Sequence, residues 1–374
     1  MRVFHLIKAA GIAGAERHLL DLLPGLRANG IDAQFLLLTP PGDAAQPLIE
    51  AARARDIPTQ TLSLPRSASP SALIDLTRVL RAAQPDIVHT HLIHADLYGT
   101  IATRLAGIRR VIHSVHNDNP HFDRLPLRVM FRALWALTER GVCISQAVQR
   151  YVLKVEGAPA DKLHQIYYGL PLPVPRYDRQ TIRAGLAAQI LDLPIDGVWV
   201  GIFSRLIEQK GIPYGLAAFA QVASEYPTAH LLIAGDGVLR ADLEAQAQNL
   251  GLGGRVHFLG WRTDAPQLMA GLDLFLMPSL WEGFGMTLLE AMAQAVPILG
   301  STAGAIPEVV RDGDTGLTVP PADATAIAIA LRRLLADASL RQRMGLAGLA
   351  RLTSHFSAEK MIQAHVRLYG DAVE

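Results

Sequence analysis

Short apolar runs rich in Val, Ile and Leu alternate along this chain with longer segments whose apolar positions recur every three to four residues. In the first half the runs are Val3–Ile7, Ala33–Leu38, Asp86–Thr90, Arg110–Val115, Gly141–Ile144 and Leu163–Tyr167, and helical periodicity fills Ala15–Asn29, Ser71–Ala83 and Ala95–Ala106. Apolar strands separated by helices predict a parallel sheet covered on both faces. The alternation pauses at Pro171-Leu172-Pro173-Val174-Pro175, where three prolines in five residues suit neither a helix nor a central strand. After a short helix it restarts with Val198–Ser204, His230–Ala234, Arg255–Leu259, Asp273–Met277, Val296–Gly300 and Gly316–Val319. The pattern predicts an α/β protein of two doubly wound halves, 1–172 and 173–355, facing a cleft. In such sheets ligands bind beyond the carboxyl ends of the strands.

Composition narrows the partners. A chain of 374 residues with half its residues hydrophobic can bury two ordinary cores, and a formal charge of +1 points to neither nucleic acid nor a strongly acidic partner. The single cysteine, Cys143, excludes an internal disulfide framework and a multi-cysteine metal site. Met1–Lys8 is too short and too interrupted for a signal peptide, and no run of about 18 apolar residues lacks charge. The expectation is a soluble, cytoplasmic protein, with peripheral contact at the inner face of the membrane left open. Arg124–Trp135 is a basic segment with large apolar residues. It fits an anionic membrane surface, or a helix packed by Met130, Leu134 and Leu137 with its arginines in solvent.

The candidate chemistry gathers where strands end. Ser279–Ala295 places Glu282 in a Gly-rich turn and Glu290 in an apolar helix. On one continuous helix, residues eight apart differ by about 80° in heading, but Gly283 and Gly285 predict that the helix starts near Met286. Glu282 then stands before the helix mouth, and the backbone N–H groups of Phe284, Gly285, Met286, Thr287 and Leu288 lie between the two carboxylates, open to an anion. In Phe203–Gly211, Arg205 and Lys210 can both reach one anion, and cations near a helix start oppose its dipole, which favours a bound diphosphate. Gly235 and Gly237 allow close packing against a nucleotide, whereas Asp236 either contacts it or caps the next helix. Gly260 and Trp261 supply backbone and an apolar wall for a base. In the first half, the glycine loop Ala9–Arg17, with Gly11 and Gly14, opens the first helix.

Histidines mark the other strand ends. His89 and His91 could hold a metal, or an imidazole could donate to a substrate; alternatively His89 and His113 are core residues with satisfied nitrogens. No later Asp or His completes a ligand set, and Asp312-Gly313-Asp314 reads as a turn. His116, just past its strand, is the best placed for a cleft.

Taken together, these motifs resemble the retaining glycosyltransferases of family 4, with the GT-B fold. The likeness rests on Glu282 to Glu290, matching the family's Glu-x7-Glu, and on Arg205-Leu206 with Lys210-Gly211, Gly235-Asp236-Gly237 and Phe258-Leu259-Gly260 in the family's order. Three positions depart from the pattern: Ala13-Gly14 replaces paired glycines, Ser204 a common glycine, and Tyr168-Gly169 a frequent Asn-Gly. The resemblance implies an NDP-sugar donor, UDP or GDP, with Arg205 and Lys210 on its diphosphate and Gly14 close by. Glu290 would hold the ribose hydroxyls, Glu282 the sugar hydroxyls, and His116 would contact the sugar near the reacting centre. It also implies that 356–374 crosses back to the first half, that no cofactor or catalytic metal is needed, and that the acceptor is a glycan, a lipid-linked sugar or a small molecule in cell-surface glycan assembly. Rival readings are a sugar-nucleotide epimerase on the same fold and a metal-dependent hydrolase using His89 and His91.

Overall fold

The computed structural model of the protein describes residues 1–8, 11–40, 42–64 and 70–371. Ala9 and Ala10 of the predicted glycine loop, and residues 372–374 of the terminal segment, lie outside them. The chain forms two compact units, Met1–Pro171 with Ser357–Glu374, and Leu172–Phe356.

The first unit contains β1 (Arg2–Lys8), β2 (Asp32–Thr39), β3 (Thr59–Ser63), β4 (Ile87–His91), β5 (Val111–Val115), β6 (Arg140–Cys143) and β7 (Leu163–Gln165). They form one parallel sheet in the order β3-β2-β1-β4-β5-β6-β7. The second unit contains β8 (Val198–Phe203), β9 (Ala229–Ala234), β10 (Val256–Gly260), β11 (Leu274–Met277), β12 (Ile298–Ser301) and β13 (Gly316–Val319). Its parallel order is β10-β9-β8-β11-β12-β13. Both sheets are doubly wound, as the alternation of strands and helices predicts. Their switch points fall between β1 and β4 and between β8 and β11, which is where such folds open a crevice for ligands.

The pleat sorts the first sheet into two cores. Val3 and Ile7 of β1, with Ile87 of β4 and Ile112 of β5, pack on one face; Phe4, Leu6 and Val88 pack on the other. Period-2 geometry therefore puts His5, His89, His91 and Ser114 on the first of these faces. The helices Gly14–Ala28 and Ala358–Asp371 cover it, the latter contributing Met361, Ile362, Leu368 and Tyr369. Parallel register sets His5 opposite His89 and Ile7 opposite His91. An aliphatic side chain at any of these sites would contribute roughly 1.5–3 kcal/mol by burial. A histidine instead requires partners for both ring nitrogens.

One strand lies outside the predicted runs, and one expectation needs correction. β3, Thr-Gln-Thr-Leu-Ser, escapes the apolar-run criterion because it is an edge strand with largely exposed or half-exposed side chains. The basic helix Leu125–Leu137 is packed by Phe131, Leu134 and Trp135, whereas Leu137 is exposed and Met130 half-buried. Leu125 and Val129 are also exposed. Among the described residues no helix is long and apolar enough to cross a membrane.

Candidate functional site

The second unit's switch point carries the charged residues. β8 runs through Ser204-Arg205-Leu206-Ile207 into the short turn Glu208–Lys210 and the helix Ile212–Ala220. β11, its neighbour in the sheet, runs through Pro278–Gly285 into the helix Met286–Ala293. The two loops are laced together. Leu280 N–H donates to the Gln209 carbonyl at 2.8 Å, and the Gln209 side-chain amide donates to the Trp281 carbonyl at 3.1 Å.

That lacing delivers Lys210 Nζ to Glu282 Oε2 at 2.5 Å, with side-chain exposures of 13% and 9%. Ser279 Oγ donates to the same oxygen at 3.2 Å, and Ser301 Oγ donates to the Ser279 carbonyl at 2.6 Å. Ala305 N–H holds the Glu282 carbonyl at 2.9 Å. Gly304 permits this approach: its φ is +52°, and a Cβ there would stand 2.0 Å from the Glu282 carbonyl oxygen. The carboxylate is thus fixed by its backbone and by Oε2. Its Oε1 has no hydrogen bond among the described residues and remains available to a hydroxyl donor.

The helix begins at Met286, as the glycines predict, after Gly285 in the left-handed region. Its first N–H groups lack intrahelical acceptors. Leu288 N–H is already taken by the Gly285 carbonyl at 2.9 Å, which removes it from the expected anion donors. The Phe284 ring is buried edge-on against Phe356 at 5.8 Å, so it faces protein. Gly283, Met286 and Glu290 are buried and Thr287 half-buried, with Glu290 the fifth residue of the helix.

Arg205 is exposed, and its guanidinium makes no ion pair or hydrogen bond among the described residues. The two cations of this loop therefore differ: Arg205 is free to meet an anion, whereas Lys210 is shared with Glu282. Protein packing by itself requires a glycine at Gly235, since a Cβ there would lie 1.9 Å from the Ser204 carbonyl oxygen. Asp236 does not cap the next helix, which starts after Leu239. Its Oδ1 accepts from Gly237 N–H at 2.7 Å and closes the turn. Gly260 accepts from Gly235 N–H at 2.8 Å, and the Trp261 ring is 62% exposed, an uncovered apolar face.

In the first unit, Gly14 starts its helix exposed, and a Cβ added there would find nothing within 4 Å, so this residue meets open space. One turn later His18 lies 6.1 Å, centroid to centroid, from His116. Both ring nitrogens of His116 are engaged, Nε2 with His91 Nδ1 at 2.9 Å and Nδ1 with the Tyr168 hydroxyl. Burial, with His365 nearby, holds its pKa down at about 3, so the ring is neutral. His113 is a core residue between Thr100 and Thr138. Burial pushes the Cys143 thiol up to about 12, which leaves it an inert core residue.

Sequence reasoning missed Ser279 and Gln209, and also His5, His18, Tyr168, His365 and Tyr369 around His89 and His91. A signal existed: His5 interrupts an apolar strand on the face that period 2 shares with Val3 and Ile7. His365 and Tyr369 are four apart on the last helix.

Comparison with known proteins agrees with these features. Residues 12–172 match the family described as Glycosyltransferase Family 4, and residues 191–351 match Glycosyl transferases group 1. The chain is 27% identical to the Escherichia coli UDP-Gal:alpha-D-GlcNAc-diphosphoundecaprenol alpha-1,3-galactosyltransferase, over 90% of this chain and 88% of that one. It is 35% identical to the lipopolysaccharide core biosynthesis glycosyltransferase LpsE of Rhizobium meliloti, a match that spans 48% of this chain and about half, 51%, of that protein. The crystal structure of Anabaena HepE with UDP and glucose superposes with a TM-score of 0.88 at 23% identity, covering 99% of this chain and all of that one. This last likeness is one of fold.

Proposed function

The chain belongs to the glycosyltransferases of family 4, and from that premise we propose that it transfers a sugar, with retention, from a UDP- or GDP-sugar to a glycan, lipid-linked or small-molecule acceptor in the assembly of a cell-surface glycan. One observation carries this reading: a free arginine, a lysine–glutamate pair and a helix N-terminus converge at the β8/β11 switch point. Glycosyl transfer builds positive charge at the anomeric carbon as its bond to the diphosphate breaks, and negative charge on the departing diphosphate. Arg205, Lys210 and the helix N-terminus stabilise that negative charge without a catalytic metal. Glu282 Oε1 accepts from a sugar hydroxyl and Glu290 from the ribose. Neither is assigned as an acid–base group. The names of the relatives support a nucleotide sugar as donor, since HepE binds UDP and glucose and the E. coli relative is named for UDP-Gal. A transferase leaves no part for a hydrolytic metal on His89 and His91.

Thermal shift with UDP-, GDP- and ADP-sugars tests the donor. A ligand at about 100 times its Kd adds about 2.7 kcal/mol, a rise of roughly 5–10 °C for a unit of this size. UDP- or GDP-sugars are expected to produce it and Glu290→Ala to remove most of it. If no nucleotide sugar moves the midpoint, the donor assignment fails.

We extend the reading to peripheral membrane contact through the helix Leu125–Leu137, where exposed Leu125 and Val129 stand beside Arg124 and Arg132. Replacing Leu125 and Val129 by Glu is expected to weaken sedimentation with phosphatidylglycerol vesicles by about tenfold or more. Equal sedimentation of both proteins would remove the membrane from the proposal.

A further inference from the structure

One cluster in the first unit takes no part in the chemistry above: His5, His89, His91, Tyr369 and Ser114 beneath His116 and Tyr168. All but His116 are buried. Their polar atoms form a single file. From the Tyr168 hydroxyl the path runs to His116 Nδ1, and from His116 Nε2 to His91 Nδ1 at 2.9 Å. It continues from His91 Nε2 to His5 Nδ1 at 3.1 Å, and from His5 Nε2 to the Tyr369 hydroxyl at 3.4 Å. The Tyr369 hydroxyl meets His89 Nδ1 at 2.6 Å, and His89 Nε2 meets Ser114 Oγ at 2.8 Å. Every nitrogen of the four imidazoles is used once.

A neutral imidazole carries one N–H and one lone pair, so each ring must donate on one side and accept on the other. Setting one ring therefore sets its neighbours. The hydroxyl of Tyr369 selects the direction, because 2.6 Å suits an O–H donor and 3.4 Å only a weak N–H donor. Tyr369 thus donates to His89, and His5 Nε2–H donates to Tyr369. His91 Nε2–H then donates to His5, His116 Nε2–H to His91, and the Tyr168 hydroxyl to His116 Nδ1. Burial holds the pKa of His116 and His5 at about 3, and those of His89 and His91 well below the usual value, consistent with four neutral rings.

We infer that this relay locks His116 in the Nε2–H tautomer and pins its ring at both ends, making Tyr369, His5 and His91 positioning residues for glycosyl transfer. The inference rests on the reading of His116 as a residue that meets the donor sugar. There a fixed, neutral ring avoids the repulsion that an imidazolium would exert on the positive anomeric centre. Tyr168, one of the departures from the family pattern, supplies the hydroxyl at the His116 end. Tyr369 supplies the central link from the terminal helix, so that helix holds His116 as well as covering the sheet. His5, His89 and His91 each offer one nitrogen within 4.8 Å of the other two, spacing that could suit a metal. All six nitrogens of these rings are already paired in the relay, and a cation there would have to break it.

The test is NMR of 15N-histidine-labelled protein, which reads each ring's tautomer without substrate, together with UDP release from UDP-glucose. The wild-type His116 is expected to show Nδ1 unprotonated and Nε2 protonated. Tyr369→Phe, which keeps the ring and removes the hydroxyl, is expected to leave His116 a mixture of tautomers. It should also lower kcat about tenfold with KM within about twofold. Should that variant not fold, Ser114→Ala, which removes only the terminal partner of His89, decides by the same spectra. Three outcomes overturn the inference: a single unchanged tautomer in the folded variants, shifted tautomers with unchanged kcat, or a stoichiometric metal in the purified protein. If the wild type releases no UDP from UDP-glucose, the choice of donor fails, and the spectra still decide the relay.

Discussion

Lys210→Ala is expected to lower sugar transfer by about 10²–10³-fold, the usual loss when one preorganised charge is removed from a developing anion. It should also destabilise the second unit by about 3–5 kcal/mol, because it strands a carboxylate that is largely withdrawn from water. The two effects can be separated. In a double variant, Lys210→Met with Glu282→Gln, no buried charge is left unpaired, so most of the lost stability should return while transfer stays low. Steady-state turnover and denaturant unfolding of the single and double variants provide the check. A folded Lys210→Ala protein that turns over within a few-fold of the wild type would sink the assignment of Lys210 to the diphosphate. Recovery of transfer in the double variant would assign the defect to stability alone.

Acidification to about pH 4–5 is expected to unfold the first unit while the second persists. Burial holds nine histidines of the first unit below their ordinary pKa of 6.5: His5, His113 and His116 at about 3, His365 at about 4, His18, His89 and His91 well below, and the half-buried His94 and His164 lowered as well. The unfolded chain binds these protons below pH 6.5 and the folded unit does not. Stability from this source is therefore complete above pH 6.5 and drains as the pH falls toward 3–4. Each group loses about 1.4 kcal/mol per pH unit. Three carboxyls of the same unit act in the opposite sense: buried Asp96, held well above its usual pKa, buried Glu156 at about 7 and half-buried Asp21 at about 6. They take up protons on folding and offset part of the loss. The histidines outnumber these carboxyls, so the balance is still a loss of stability that grows as the pH falls. In the second unit, among the described residues, only His230 and His257 are shifted in this way, and both are less deeply buried. Hydrogen exchange read by mass spectrometry should show protection of residues 1–171 collapsing across this range. Equal protection at pH 4.5 and pH 7.5 would contradict the neutral burial of these rings.

The strands were legible wherever both faces are buried, because an apolar run is what such a strand must be. β8, β9 and β11 fall within a residue or two of their predicted limits. β3 was not, because an edge strand with exposed Gln60, Thr61 and Ser63 carries no such run. The start of the helix at Met286 was legible from Gly283 and Gly285, since a left-handed residue before a helix calls for glycine. The Lys210–Glu282 contact was not. Seventy-odd residues of chain intervene, and only the adjacency of β8 and β11 brings the two loops together. Gly235 shows a different limit. Its small size was evident, yet the protein carbonyl that demands it depends on how the turn closes.

The chain's sequence alone determined the alternation of strand and helix, the two doubly wound sheets and the residue types waiting at the strand ends. These follow from local periodicity, turn chemistry and motif spacing, which short segments carry by themselves. Tertiary structure decided which polar groups meet. It tied Lys210 to Glu282 while leaving Arg205 free, and it threaded Tyr168, His116, His91, His5, Tyr369, His89 and Ser114 into one hydrogen-bonded file. The physical reason is the range of the interactions. Burial preference is written residue by residue, whereas a hydrogen bond needs two groups within about 3 Å, and strand order and helix packing set that distance between residues remote in the chain.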